Sequence, residues 1–83
     1  MPKVVSVEPR EGYRLFVQFD DGVGGEVDLA DRLFGPVFEP LREREQFTRV
    51  GIDEFGAVCW PNGADLAPDA LHARLNRSTV GVG

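Results

Sequence analysis

An α+β fold is predicted by three observations. The first thirty residues alternate apolar and polar positions and break at glycine-bearing turns; apolar residues then recur at mixed spacings of three and four, interrupted by prolines; and the chain after Asp65 carries an apolar stripe spaced by four. The pattern gives a three-stranded antiparallel meander, short helical segments, a second β-hairpin and a C-terminal helix.

The first strand is read from Val5 and Val7, which alternate with Ser6 and Glu8 until Pro9-Arg-Glu-Gly12 breaks the run. In the second, Tyr13, Leu15, Val17 and Phe19 share the face predicted to meet the core, while Arg14, Phe16, Gln18 and Asp20 share the other. Asp21-Gly22 suits a tight hairpin, and Val27 and Leu29 alternate with Glu26, Asp28 and Ala30 in the third. Gly24-Gly25 predicts a bulge or a close backbone approach.

From Asp31 the period changes. Leu33, Phe34, Val37, Phe38 and Leu41 are interrupted by Gly35-Pro36 and Pro40, so two short helical pieces are expected in place of one. The second piece, near Glu43 to Val50, presents Phe47 and Val50 inward. Extended chain resumes at Gly51-Ile-Asp53, turns at Phe55-Gly56, and returns through Ala57 to Trp60 as the second hairpin. Asp65 is the expected N-cap of the last helix, with Pro68 in its first turn, Ala67, Leu71 and Leu75 as its buried stripe and Asn76 as its end.

One domain is expected over residues 1–76 of the 83, followed by a flexible C-terminal tail at 77–83. A hydrophobic fraction of 42%, including six Phe, supports a core without cross-links, and the lone Cys59 excludes an internal disulfide. With no signal-peptide pattern and no apolar run near the ~20 residues of a membrane span, a cytoplasmic location and no membrane association are expected. Nine Lys and Arg against fourteen Asp and Glu leave a net charge of −5, which repels phosphate backbones and disfavours direct nucleic-acid binding.

Catalytic chemistry has no visible residue set. His72 is the only histidine, no second ligand stands at metal spacing from it, and it is read as a surface residue. Cys59 lacks a base and an electropositive setting, so it is read as a structural thiol. Asp20-Asp21-Gly22 is a hairpin turn without the further oxygen ligands of a calcium loop, and Asp53-Glu54 and the pair Asp65 and Asp69 suit turn and cap roles. The glycines match no phosphate loop or dinucleotide fingerprint. No cofactor and no metal are expected.

Two aromatics carry the interaction reading. Phe16 stands on the polar face of the second strand, which requires either a helix covering that face or an interface anchor. Trp60 opens the stretch Trp60-Pro61-Asn62-Gly63-Ala64-Asp65, in which Pro61 fixes one φ angle, Asn62-Gly63 supplies positive φ and Asp65 caps the helix. Its indole N–H wants an acceptor, and the ring belongs either to the rim of the core or to a partly exposed groove.

Val4-Val-Ser-Val-Glu-Pro9, Gly12-Tyr-Arg-Leu15, Phe19-Asp-Asp-Gly22, Glu26-Val-Asp-Leu29, Val37-Phe-Glu-Pro-Leu41 and, most specifically, Trp60-Pro-Asn-Gly-Ala-Asp-Leu-Ala-Pro68 together resemble the bacterial family called domain of unknown function 2442, over about residues 3 to 75. The resemblance implies a small α+β domain. Some such domains are fused to a helix-turn-helix segment, and many are encoded beside another small protein, as toxin–antitoxin pairs are. After Leu75 only eight residues remain, too few for a DNA-reading helix pair. The family brings no established catalytic residues.

The expected function is therefore non-enzymatic binding of a small protein partner, antitoxin-like or accessory, through Trp60, Pro61, Asn62 and Phe16. One alternative is a transcriptional regulator whose homodimer gathers Arg14, Arg49, Arg74 and Arg77 into a basic face. Another is a small-molecule or metal module using Asp20, Asp21, Asp65 and Asp69.

Overall fold

The computed structural model describes residues 2–82, with side chains through Leu75. Strands β1 (Val4–Arg10), β2 (Arg14–Phe19) and β3 (Gly24–Asp28) form an antiparallel meander in the order β1-β2-β3. Leu15, Val17 and Phe19 of β2 are buried with Val27 of β3, as strict alternation requires of a half-buried strand. Asp21 and Gly22 close the β2–β3 turn, where Gly22 takes φ +90° and the Phe19 N–H donates to the Val23 carbonyl at 2.8 Å.

Two details of the meander differ from simple alternation. Val4 faces Phe19 and Ser6 faces Gln18, so Val5 is an extra residue in a bulge; the phase of β1 shifts there, Val4 enters the core and Val5 is exposed. The simple alternation read from Val5 and Val7 is therefore interrupted at the start of the strand. Gly24 and Gly25, by contrast, keep regular register opposite Gln18 and Val17. Of the two readings of this pair, close approach holds: a Cβ on Gly25 would lie 3.0 Å from Leu75 Cδ2, so glycine lets the last helix settle against β3.

The middle segment is a chain of short turns. A 3-10 turn at Ala30–Arg32 leads into α1 (Gly35–Phe38), a second 3-10 turn at Glu39–Arg42 and α2 (Arg44–Phe47). Pro36 and Pro40 each fall in the first turn of their piece, where the missing N–H costs nothing. Leu33, Leu41 and Phe47 point inward and are almost wholly buried. Two side chains steady this segment on the rest of the molecule: Tyr13 Oη donates to the Arg42 carbonyl, and the Arg44 guanidinium donates to the carbonyls of Arg10 and Gly12.

A second antiparallel sheet follows, β4 (Gly51–Ile52), β5 (Val58–Cys59) and β6 (Asp65–Leu66), in that order. The expected second hairpin therefore has a third strand. Asp65 is not a helix cap; it pairs with Cys59 in β6, and α3 (Pro68–Val82) begins three residues later. Of the expected helical stripe, Leu71 and Leu75 are buried, Ala67 is exposed, and Ala64 in the turn takes the core position instead. The helix does not end at the expected Asn76 but runs on to Val82, and the side chains of the expected tail at 77–83 lie outside those described.

One buried cluster joins the two sheets, the short turns and α3, with Leu15, Val17, Phe47, Val58, Trp60 and Leu71 among its members. The sheets are also tied through the backbone, since the Val4 N–H donates to the Gly56 carbonyl at 2.9 Å.

Candidate functional site

The turn after β5 is built by its own polar groups. The Trp60 N–H donates to the Ala64 carbonyl and the Gly63 N–H to the Trp60 carbonyl, while Asn62 Oδ1 accepts from the Ala64 N–H. Gly63 takes φ +94°, a conformation that favours glycine. This is a hairpin turn that hands the chain to β6.

Trp60 is only 3% exposed. Its ring packs against Phe47 and Phe38, with centroids 6.1 and 6.5 Å away, and its indole N–H donates to the Phe47 carbonyl at 3.0 Å. Both demands of the side chain, apolar burial and a hydrogen-bond acceptor, are met inside the protein. Of the two readings of this ring, core or partly exposed groove, the structure has the core one.

Pro61 and Asn62 are exposed, and Asn62 reaches outward. Its Nδ2 donates to the Val37 carbonyl at 2.8 Å, fastening the turn to α1. On that segment Val37 is 44% exposed and Phe34 is 61% exposed. Phe34 is held in place: the Arg42 guanidinium lies 4.6 Å from its ring centroid, and Arg42 Nε donates to the Leu33 carbonyl at 2.8 Å. Beside it, Pro36, Glu39, Pro40 and Glu43 border a broad open depression of about 710 Å³.

Phe16 does not join this surface. It stands on the outer face of the first sheet between Glu8 and Glu26, half-buried, with the Arg10 guanidinium 5.1 Å from its ring centroid. An arginine stem and head take the place of the expected covering helix. Thus Pro61 and Asn62 share a surface with Phe34 and Val37, while Trp60 lies beneath it and Phe16 elsewhere. Phe34 and Val37 were missed because they stand among five apolar residues at mixed spacings, with nothing to tell inward from outward positions. The available signal was Gly35-Pro36, which limits α1 to four residues, too few to turn Phe34, Val37 and Phe38 all inward.

The remaining candidates have structural partners. His72 Nε2–H donates to Asp21 Oδ2 at 2.7 Å, and the ring meets Phe19 edge-on at 4.9 Å, so His72 is half-buried and joins α3 to the β2–β3 turn. Asp21 is held below the ordinary carboxylate value of 3.8, first by the Val23 N–H and then by His72. A lowered folded value means that this contribution to stability is complete above 3.8 and is lost as pH falls through the folded value. Wild type is therefore expected to melt above Asp21→Asn at about pH 6, with the gap closing toward about pH 2. Thermal melts across that range check it; a gap independent of pH would remove the carboxylate as the cause.

Burial pushes the half-buried Cys59 thiol up, and Asp53 and Asp65 push it further, which keeps it protonated and weakly nucleophilic. Asp53 Oδ1 accepts from the N–H groups of Phe55 and Ala57 and so shapes the β4–β5 turn. Among the described residues no group of three or more His, Cys, Asp or Glu is placed to hold a metal ion. Each described arginine of the homodimer reading has an oxygen partner, and two of them share Asp28. Arg14 lies near Glu26 and Asp28, Arg49 near Glu45, and Arg74 donates to the Asp28 carbonyl.

These features define a small α+β domain: two three-stranded antiparallel sheets with short helices and a C-terminal helix, enclosing an aromatic-rich core. The chain belongs to the family described as protein of unknown function (DUF2442), whose model matches residues 4–76. No curated protein and no solved structure matches it. No described helix is long and apolar enough to cross a membrane.

Proposed function

We propose that this domain is a non-enzymatic protein-binding module, an antitoxin-like or accessory partner of a small protein encoded beside it. Its contact surface is the outer side of α1, with Phe34 and Val37 at the centre and Pro61 and Asn62 at the edge. The observation that carries this reading is an aromatic ring 61% exposed, with the Arg42 guanidinium stacked 4.6 Å from its centroid. An apolar anchor ordered before binding loses little entropy on contact, which is how a few aromatic residues come to dominate an interface. Glu39 and Glu43 beside it, in a chain of net charge −5, favour a basic partner.

The regulator reading has less support because Arg14 and Arg49 stand beside carboxylates, and the aspartate module because Asp21, Asp65 and Asp69 serve a turn, a strand and a helix start. The test is co-purification with the product of the neighbouring reading frame, followed by titration calorimetry. Phe34→Ser with Val37→Ser is expected to weaken the complex by more than about tenfold, since each central anchor carries roughly 1–2 kcal/mol. The melting temperature should stay within a few degrees, because both side chains are exposed. Unchanged affinity in that variant would refute the surface, and no complex with wild type would refute the neighbouring protein as partner.

A further inference from the structure

A second depression, apart from the α1 surface, opens between the 3-10 turn at Ala30–Arg32 and α3. It holds about 250 Å³, and Leu29, Phe38, Leu66 and Leu71 supply its apolar wall. Arg32 and Arg74 stand on its border, and both also border an adjoining hollow that Asp31 and Ala73 share. In a chain of net charge −5, cations are expected to find carboxylates. Yet among the described residues no carboxylate lies within ion-pair distance of either group, the ion pairs being those of Arg10, Arg14, Arg49 and His72. Arg74 is also aimed: its Nη2 donates to the Asp28 carbonyl at 2.9 Å, which holds the planar fork at the mouth with further N–H donors to spare.

From this geometry we infer that the cleft between the Ala30–Arg32 turn and α3 binds a small monocarboxylate with an apolar body, its carboxylate on Arg32 and Arg74 and its body on the leucines beneath. Guanidinium N–H groups match a carboxylate edge on, and an apolar cleft with a few convergent polar groups is the usual form of a small-ligand site. Volume sets the size: 250 Å³ holds about eight non-hydrogen atoms at the volume that water occupies per molecule. Asp65 on the same border, and Asp31 at the adjoining hollow, disfavour a second negative charge on the ligand, so a monocarboxylate is preferred to a dicarboxylate. The site uses none of the residues of the α1 surface, and neither reading depends on the other.

Hexanoate, with its apolar tail and single carboxylate, is the direct probe. Added to the 15N-labelled domain, it is expected to give saturable shifts of the Arg32 and Arg74 Nε–H signals and of the Leu66 and Ala70 amides, with a Kd in roughly the millimolar range. Arg32→Gln, an exposed substitution that leaves the core alone, should weaken binding about tenfold, the weight of one charge-assisted hydrogen bond. Ala70→Phe, which fills the cleft from the surface of α3, should abolish saturation. Hexylamine should give no saturable response, and acetate, which lacks the body, only a weak linear one. Hexanoate shifts that do not saturate, an acetate response equal to that of hexanoate, or undiminished affinity in Arg32→Gln would overturn the site.

Discussion

Replacing Trp60 by alanine is expected to cost about 3–5 kcal/mol, the usual range for truncating a large buried aromatic. Two losses combine. The ring contacts with Phe47 and Phe38 disappear, and the Phe47 carbonyl, which accepts the indole N–H at 3.0 Å, is left without that donor in a buried place. A chain of this length has a total stability of about 4–12 kcal/mol, so the variant should lose much of it and melt at least about 12 °C lower. Urea unfolding followed by circular dichroism checks the value. Trp60→Phe separates the terms, since it keeps most of the apolar volume and should cost only about 1–3 kcal/mol. A cost below about 1 kcal/mol for Trp60→Ala would place the ring outside the core. The same result bears on interface mapping: a partner lost with Trp60→Ala reports unfolding, which is why the exposed pair Phe34 and Val37 is the proper probe.

Gly56→Ala is expected to be nearly as severe although it adds a single methyl group. Gly56 sits at φ +78°, where an L side chain costs about 1–2 kcal/mol. Its added Cβ would also stand 2.5 Å from Lys3 Cβ and 3.0 Å from Lys3 Cα, atoms close to the backbone that cannot swing aside. Overpacking adds about 1–3 kcal/mol, for a total of roughly 2–5. The displaced segment carries the Gly56 carbonyl that accepts the Val4 N–H, so the strain falls on the link between the two sheets. Gly63→Ala provides the contrast: its φ is +94° but nothing lies within 4 Å of the added carbon, and only the conformational term of about 1–2 kcal/mol remains. Equal stability losses in the two alanine variants, measured by urea unfolding, would refute the steric part of the argument.

The candidate surface was half readable beforehand. Pro61 and Asn62 stand out as a turn, and the turn is where expected; that Asn62 reaches back to the Val37 carbonyl, 25 residues earlier, is not written in any local pattern. Phe34 looks like every other apolar residue in a segment of mixed spacing, because a four-residue helix is too short to display a period. The arginine-bordered cleft was invisible for a similar reason: Arg32 and Arg74 lie 42 positions apart in number and border one cleft only because α3 packs beside the turn that follows β3.

By itself the sequence determined the α+β class, the alternation that buries Leu15, Val17 and Phe19, the turn at Asp21-Gly22 and the breaks imposed by Pro36 and Pro40. Each of these is a local effect of backbone geometry or of a period repeated often enough to be seen. The tertiary structure alone decided the bulge at Val5, the third strand that takes Asp65 from its helix-cap role, and the fate of Trp60. A two-residue strand has no period, and its existence depends on the neighbour that supplies its hydrogen bonds. Whether a tryptophan is core or contact likewise depends on distant partners, here a carbonyl 13 residues away and rings brought together by the fold.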